Sequence, residues 1–449
     1  MPTMKHGPVR PACRFMEQRS LPMHDFRDEF LPRLTTPKLA GLDLGVETIQ
    51  PSYEGQSLLN FPASLCRWFG APALPHHPLD IPRLDDLAES ARQIVVILID
   101  AVSLERFCRW IERTDTDFLS LLNEACLFPI TSTAPSTTSA ALTTLWTGRS
   151  PAEHGILGYE LFLKEYGLVA NMISHSPASF EGRSGLLYQA GFDPERALPV
   201  PTLGPHLSNA QIEVFALLSK SIYNSGLSRM HYPSVQMYGF RTTSDLWIQA
   251  RQLAELRLDR PRLIWIYHGD VDTCSHLHGP DSEQAETEFL SFLNILYRAF
   301  LSRLSPTTRR QTLLLLLADH GQISTAKNPH FDLNNHPGLV NRLHLLPTGE
   351  SRFTYLYPRP GQLEAVTEYF ELTWPGMFRL LPSQKALEMG LFGPGKPAQV
   401  THSRIGDTIS IAMRDSYLWW SPKPNPLLGR HGGLSDQEML VPLFAMRLE

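Results

Sequence analysis

Three stretches of the chain are apolar without alternation, and each ends on ionisable residues. Ile94 to Ile99 runs into Asp100. Leu263 to Tyr267 runs into His268-Gly269-Asp270-Val271-Asp272, and Leu313 to Leu317 into Ala318-Asp319-His320-Gly321. Unbroken apolar runs of this length predict strands covered on both faces, as in parallel sheets. In open α/β sheets ligands gather beyond the carboxyl ends of the strands. An Asp after a strand is commonly only the cap of the next helix. The same pattern in three places, two with a nearby histidine, points instead to one shared site. Ile409 to Met413 and Val441 to Met446 predict further strands.

Helical periodicity fills the gaps. Ser103 to Arg113 reads as a helix. Leu246, Ala250, Leu253 and Leu256 share one helix face, with Ser244 as the expected N-cap. After Pro280, the acids Asp281, Glu283 and Glu286 mark the first turn of a helix running to about Leu301. Its stripe of Phe289, Phe292, Leu293, Leu296 and Phe300 is core filling. The overall expectation is an α/β fold. Residues 91–449 form its main domain, with insertions at about 157–258 and 325–405.

Residues 1–90 differ. Pro72, Pro75, Pro78 and Pro82 break any long element. This part reads as an extended lead-in packed on the core, with one short helix from Pro62 to Trp68 and with His76 and His77 as polar surface.

One further stretch stands out, from Thr131 to Ile156. Seven hydroxyl residues lie between Thr131 and Ser139, followed by an apolar helical run that Thr147-Gly148 closes. Pro135 suits a helix's first turn, where a missing N–H costs nothing. A hydroxyl placed there meets free N–H groups and the positive end of the helix dipole, which favours a phosphate or an alkoxide. Ordinary N-capping would produce the same composition, so the stretch acquires meaning only beside the acids and histidines.

Composition narrows the partners. Charged residues are 19% and hydrophobic residues 43% of 449, as in a globular chain. A formal net charge of −5 gives no general attraction to a nucleic-acid polymer or an anionic membrane. The five cysteines, Cys13, Cys66, Cys108, Cys126 and Cys274, form no CxxC pair, which excludes a zinc–thiolate site and fits a reducing compartment. No apolar run approaches the roughly 20 residues needed to span a bilayer, and Met1 to Arg19 carries no apolar signal segment. A cytoplasmic protein is expected.

The candidate chemistry lies in a few sets. Asp272 and His276 are four apart, on one side of a helical turn. Asp319 and His320 are adjacent at a strand end, and His431 stands in Arg430-His431-Gly432-Gly433 after a proline-rich loop. Carboxylate and imidazole together suit zinc or another first-row ion. Two such ions about 3.5–4 Å apart can clamp the attacking and leaving oxygens of a phosphoryl group.

In order and spacing these pieces resemble the alkaline phosphatase superfamily, on its type I phosphodiesterase/nucleotide pyrophosphatase side. The resemblance runs from residue 94 to 433. It rests on Ile99-Asp100, the hydroxyl stretch ending Thr147-Gly148-Arg149-Ser150-Pro151-Ala152-Glu153-His154-Gly155-Ile156, Asp272-x-x-x-His276 before Gly279-Pro280, and Asp319-His320-Gly321 with His431-Gly432-Gly433. It implies a three-layer sandwich around a mostly parallel central sheet, with inserted cap segments. It also implies two divalent ions, zinc first and manganese second. Asp100, Asp319, His320 and the nucleophile would hold one, and Asp272, His276 and His431 the other.

The family places its nucleophile ten positions before the glycine of the Thr-Gly pair, which implies Thr138; Thr137 and Thr133 remain the alternatives. The implied reaction is hydrolysis of a small phosphate ester or nucleotide through a phosphothreonine. Phosphomonoester or phosphonate hydrolysis is the alternative on the same site, and a non-catalytic nucleotide- or protein-binding descendant is a third reading. The chain departs from the family after His154-Gly155, where diesterases carry an Asn for a phosphate oxygen and this sequence reads Leu157-Gly158-Tyr159-Glu160. Tyr159 and Asn171 are the candidates for that task, and Arg149 is expected to be a surface or packing residue. No Cys/Ser-x-Pro-x-Arg motif precedes Thr147, which argues against a sulfatase.

Overall fold

A computed structural model describes residues 23–448 apart from Ala40, Val46 and 180–183. Its centre is an eight-stranded sheet. In chain order the strands are β1 (His24–Asp25), β2 (Gln93–Ile99), β3 (Cys126–Thr131), β4 (Glu213–Ser219), β5 (Gln236–Phe240), β6 (Arg262–His268), β7 (Thr312–Leu317) and β8 (Leu440–Arg447). Their spatial order is β1-β3-β8-β7-β2-β6-β4-β5. All neighbours pair in parallel except those of β8, which runs against both β3 and β7.

The apolar runs form the middle of this sheet for the reason the pattern gives. Every residue of β2 and β7 is buried, since helices cover both faces. Register then sets the site. Leu317 pairs with Leu98, and Ile99 with His268, so the carboxyl ends of β7, β2 and β6 are level. Asp100, Asp319 and the turn after His268 therefore emerge side by side.

A second, antiparallel sheet of seven strands lies apart from the first. It takes Glu160–Leu163, Leu168–Asn171 and Ser176–Pro177 from the earlier insertion. Thr348–Glu350, Phe353–Leu356 and Phe378–Pro382 come from the later one, and Thr408–Ala412 from just beyond it. The stretch 157–258 is thus not all insertion, because β4 and β5 extend the main sheet. A side core of Phe331, Leu339, Val366, Phe370 and Trp374 supports the later insertion.

Several local expectations need correction. The helix Thr243–Ala254 is capped by Thr242, whose hydroxyl accepts from Asp245 N, and not by Ser244. Leu246, Ala250 and Leu253 are buried, but Leu256 lies past the helix end and is 49% exposed. The helix after Pro280 starts at Glu283 behind the cap Ser282, while Asp281 pairs with Arg106 and Arg109. His76 is not free surface: its Nε2 sits 2.5 Å from Glu153. The short helix in the lead-in spans Phe61–Phe69 with Pro62 in its first turn. Cys13 lies outside the described residues; Cys66, Cys108, Cys126 and Cys274 are unpaired.

One contact ties the second sheet to the main one. Arg352 donates to both carboxylate oxygens of Glu438, at 2.7 and 3.0 Å, with both side chains fully buried. Glu438 also accepts Gly433 N at 2.8 Å, so this pair fixes the loop that carries His431. Arg352→Ala would strand a buried carboxylate, and a loss of about 3–5 kcal/mol is expected. Urea unfolding at constant m-value checks it.

Candidate active site

The first helix of the site, α1, spans Thr138–Thr147 and ends on Gly148, whose φ of 60° is the left-handed cap conformation. Its side chains from Ser139 to Thr147 are all buried. Buried hydroxyls must find partners, and here they do. Thr143 and Thr147 donate to carbonyls one turn back, while Thr144 meets His154 Nε2 at 3.0 Å. The helix starts later than expected. Pro135 precedes it across a cis peptide from Ala134, and Thr137 holds the cap position without a side-chain cap bond.

The seven hydroxyls are thereby told apart. Thr131 donates to Gln56 O, Ser132 to Asp319 O, Thr133 to Pro135 O, Ser136 to Gly433 O and Ser139 to Gly158 O. Thr137 donates to Glu350. The hydroxyls of Ser136 and Thr137 therefore bind two other loops, although Thr137 keeps the cap position through its backbone. Thr138 alone of the seven is not buried. Its Oγ1 lies 3.1 Å from His320 Nε2 and 3.5 Å from Asp100 Oδ2.

Below that hydroxyl lie two groups of ligand type. Asp100, Asp319 and His320 form one, with His320 Nε2 at 3.4 Å from Asp100 Oδ1 and 3.6 Å from Asp319 Oδ2. Asp272, His276 and His431 form the other, with His276 Nε2 at 3.3 Å from Asp272 Oδ1. A second helix, α2 (Asp270–His278), supplies Asp272 and His276 one turn apart. The groups adjoin: the rings of His320 and His431 stack at 4.0 Å between centroids. Backbone strain marks the spot, since Ala101, directly after Asp100, has φ 63° while its N–H reaches Asp319 at 3.3 Å.

The donor set fits divalent ions on two observations. Asp100 Oδ1 and Asp319 Oδ2 are buried without any hydrogen-bond partner, which is costly for a carboxylate that holds no cation. The three imidazoles are also braced alike. His276 Nδ1 faces Gly429 O at 2.8 Å, His320 Nδ1 faces Gly321 O at 3.0 Å, and His431 Nδ1 faces Ser136 O at 3.2 Å. A carbonyl only accepts, so each Nδ1 carries the proton and each Nε2 lone pair points into the site. Electrostatics agree. Burial, then Asp319 and Asp272, holds Asp100 well above the carboxylate range, and Asp319 is pushed up to about 7, mainly by burial. Burial, then His320 and His276, holds His431 well below the usual imidazole value. Acids that resist ionising and a histidine that resists protonation are what a dry, ion-free ligand cluster shows.

A third group, His268, Asp270 and Glu288, looks similar by distance. Its histidine is wired differently. His268 Nε2 meets Glu288 at 3.1 Å, and its buried Nδ1 has no partner. An Nε2 lone pair offered to an ion would leave that Nδ1–H unsatisfied, so His268 Nε2–H donates to Glu288 instead and the group is a hydrogen-bonded pair.

Two residues of the site escaped the sequence reading. Tyr267, the last apolar residue of its strand, donates its hydroxyl to Asp100 Oδ2. Gln322 donates to Asp272 Oδ1. Gln322 stands two residues after His320 and Tyr267 five before Asp272, but no pattern marks either. Tyr267→Phe is expected to lower metal affinity or activity by about 10–100-fold, because the phenol orients a ligand carboxylate. Metal titration of the variant checks it.

The remaining named residues fall outside the cluster. The Asn171 carboxamide oxygen accepts Ile173 N and Ser174 N and so holds a turn. The Tyr159 ring is 44% exposed, while its N–H donates to Glu350 at 2.9 Å. Arg149 lies past the far end of the ten-residue α1, roughly 15 Å from Thr138, and approaches Glu153 at 3.4 Å. His154 and Glu153 are structural: one binds Thr144 and Ile156 N, the other caps Ser150 and meets His76.

A mostly parallel sheet that delivers two adjoining carboxylate–imidazole groups beneath a hydroxyl at a helix start defines a hydrolase of phosphoric ester or anhydride bonds, built on the alkaline phosphatase fold. The chain belongs to the type I phosphodiesterase/nucleotide pyrophosphatase family, whose sequence profile matches residues 94–433. No curated protein sequence matches it. Among solved structures it is similar to human ectonucleotide pyrophosphatase/phosphodiesterase 5, at 15% identity and a TM-score of 0.60, over 79% of this chain and 87% of that one. The murine form, also solved inactivated in complex with AMP, gives 0.56 in that complex at 15% identity and the same coverage, 79% and 87%. Phosphonoacetate hydrolase from Sinorhizobium meliloti, in complex with phosphonoacetate, gives 0.58 at 17% identity, over 79% and 90%. Family membership carries metal dependence with a two-metal site. No helix of the described residues is long and apolar enough to cross a membrane.

Proposed function

We propose that the chain is a phosphodiesterase or nucleotide pyrophosphatase acting through a phosphothreonine on Thr138, with zinc as the first choice of metal and the cytoplasm as its compartment. The observation that carries the nucleophile is the sorting of hydroxyls: Thr138 Oγ1 is the one of seven that faces Asp100 and His320 instead of a structural acceptor. Asp100, Asp319, His320 and Thr138 would hold one ion, and Asp272, His276 and His431 the other. Such ions, when bound, supply Lewis acidity that favours the Thr138 alkoxide and offsets phosphate charge.

The chain's own residues do the rest. The start of α1 adds backbone dipole at the same point. Thr138 Oγ1 loses its proton and bonds to phosphorus, while the ester oxygen opposite leaves with the bonding pair and takes up a proton. Water then attacks phosphorus, the Oγ1–phosphorus bond breaks, and Thr138 regains its proton. Tyr267 and Gln322 keep Asp100 and Asp272 oriented throughout. The three braced histidines hold their tautomer, so no ring has to turn between the two half-reactions.

A small nucleotide ester fits this reading, in line with the AMP held by the murine relative. Phosphonate or monoester hydrolysis is the alternative, in line with the fold shared with phosphonoacetate hydrolase. Zinc-loaded protein should release nitrophenol from bis(p-nitrophenyl) phosphate. Two bound ions with no turnover of diester, monoester or phosphonate would defeat the proposal in favour of a binding role.

A further inference from the structure

Arg430 stands directly before His431 and is buried, with 1% of its surface exposed. No carboxylate pairs with its guanidinium among the described residues. A buried cation without an anion is costly unless its donors are well used. Here they are spent on neutral groups. Nη1 donates to the Thr325 hydroxyl and, at 3.2 Å, to Leu427 O, while Nη2 donates to Asn425 Oδ1. The Tyr417 ring covers the face of the fork, 3.7 Å from Cζ to the ring centroid. Tyr417 lies in the side core that supports the later insertion, and its hydroxyl accepts Asn328 N at 2.9 Å and Asn425 Nδ2 at 3.1 Å. Arg430 thereby clamps the loop that leads to His431 onto that core.

What the clamp holds is the frame of one ligand group. Gly429 O takes the His276 Nδ1–H at 2.8 Å, and Leu428 N donates to His276 O at 2.7 Å. Arg430 pairs in register with Ile323, next to the Gln322 that holds Asp272. The fit is close, since a Cβ on Gly429 would collide with the Ser275 carbonyl of α2. All three donors of the second group, Asp272, His276 and His431, thus depend on one strip of chain. The first group does not. Asp100, Asp319 and His320 stand beyond the ends of β2 and β7, held by the Tyr267 hydroxyl, Ala101 N and Gly321 O.

We propose that Arg430 is a positioning residue whose clamp on the Asn425–His431 strip sets the affinity of Asp272, His276 and His431 for their ion, while the first group keeps an affinity of its own. This rests on the allocation of donors proposed above. Geometry and charge can be told apart. A lysine keeps the charge but loses the planar fork that joins Thr325 to the loop and stacks on Tyr417. If the cation merely repelled a nearby metal ion, Arg430→Met would tighten zinc and Arg430→Lys would leave it unchanged. A clamp weakens zinc in both.

Competition with a chromogenic chelator reads the zinc affinities of the full chain, which should take up two equivalents. In Arg430→Lys one equivalent should weaken by about 10–100-fold, as when the outer partner of a metal ligand is lost, and the other should stay at the wild-type value. Asn425→Ala, at a half-buried loop position, should weaken the same equivalent by less, and it decides the matter if Arg430→Lys does not fold. In a His276→Ala background, where the second group is broken, Arg430→Lys should leave the remaining zinc unaffected. Equal losses at both sites, tighter zinc in Arg430→Met, or a lower melting temperature with both affinities intact overturns the inference and leaves Arg430 only a brace of the insertion. A His276→Ala protein that still binds two zinc ions as the wild type does defeats the allocation of donors instead.

Discussion

Thr138→Ala is expected to lower kcat/KM on a diester by at least about a thousandfold, the scale seen when a nucleophile is deleted. Metal content should stay at that of the wild type, because Asp100, Asp319 and His320 remain in one group and Asp272, His276 and His431 in the other. Loss of turnover with metal retained separates a nucleophile from a mere structural contact. Thr138→Ser should recover part of the rate, since a hydroxyl stays near His320 Nε2. Thr137→Ala should be far milder on chemistry, as that hydroxyl serves Glu350, and Thr133→Ala milder still, as its hydroxyl only closes a turn on Pro135. Full activity in Thr138→Ala would sink the assignment and send the search back to those two neighbours.

Chelation is the second large effect, and it should reverse how stability depends on pH. Without ions, Asp319 has a folded-state pKa of about 7, above its unfolded value, as a buried acid near other acids must. Its contribution to stability is fully present below the unfolded value and is lost as pH rises through about 7. Asp100 shifts in the same direction. Chelated protein should therefore melt several degrees lower at about pH 8 than at about pH 5.5. Added zinc should erase that fall, because cations favour the charged carboxylates. On the acid side the loaded enzyme should lose activity as pH falls, because protons compete with metal for its carboxylate and imidazole ligands. Thermal melts at the two pH values, with and without chelator, check the first claim. A chelated protein that grows more stable toward pH 8 would show that these carboxylates are not held in a dry cluster.

Both expectations rest on the same feature, a ligand set made before any ligand arrives. Buried carboxylate oxygens without partners cost folding energy in the ion-free chain. The Arg352–Glu438 pair and the carbonyl braces on the three histidines hold the arrangement against that cost.

The sequence by itself determined the sheet centre and its chemistry. Apolar runs ending on Asp100, Asp272 and Asp319 could be read because buried parallel strands leave a plain, non-alternating pattern and deliver side chains at their ends. The i, i+4 pair Asp272 and His276 could be read because helix geometry is local. The spacing that singled out Thr138, ten positions before Gly148, came from the family resemblance, and the observed helix begins at that residue. What only the tertiary structure decided is everything that depends on contacts distant in sequence. Seven hydroxyls within nine residues look alike until Gly433, Glu350, Gly158 and Asp319 each claim one. Nothing in the pattern separated His268 from His320, although an unbraced Nδ1 makes one a hydrogen-bond partner of Glu288 and a carbonyl-braced Nδ1 makes the other a ligand type. Capping was misjudged at Ser244, where Thr242 holds the cap, because a hydroxyl's partner is set by whichever donor or acceptor packing brings nearest. Glu350 stayed invisible for the strongest version of that reason. It reaches Thr137 across 213 positions of chain, and only the folded second sheet brings its carboxylate to the nucleophile.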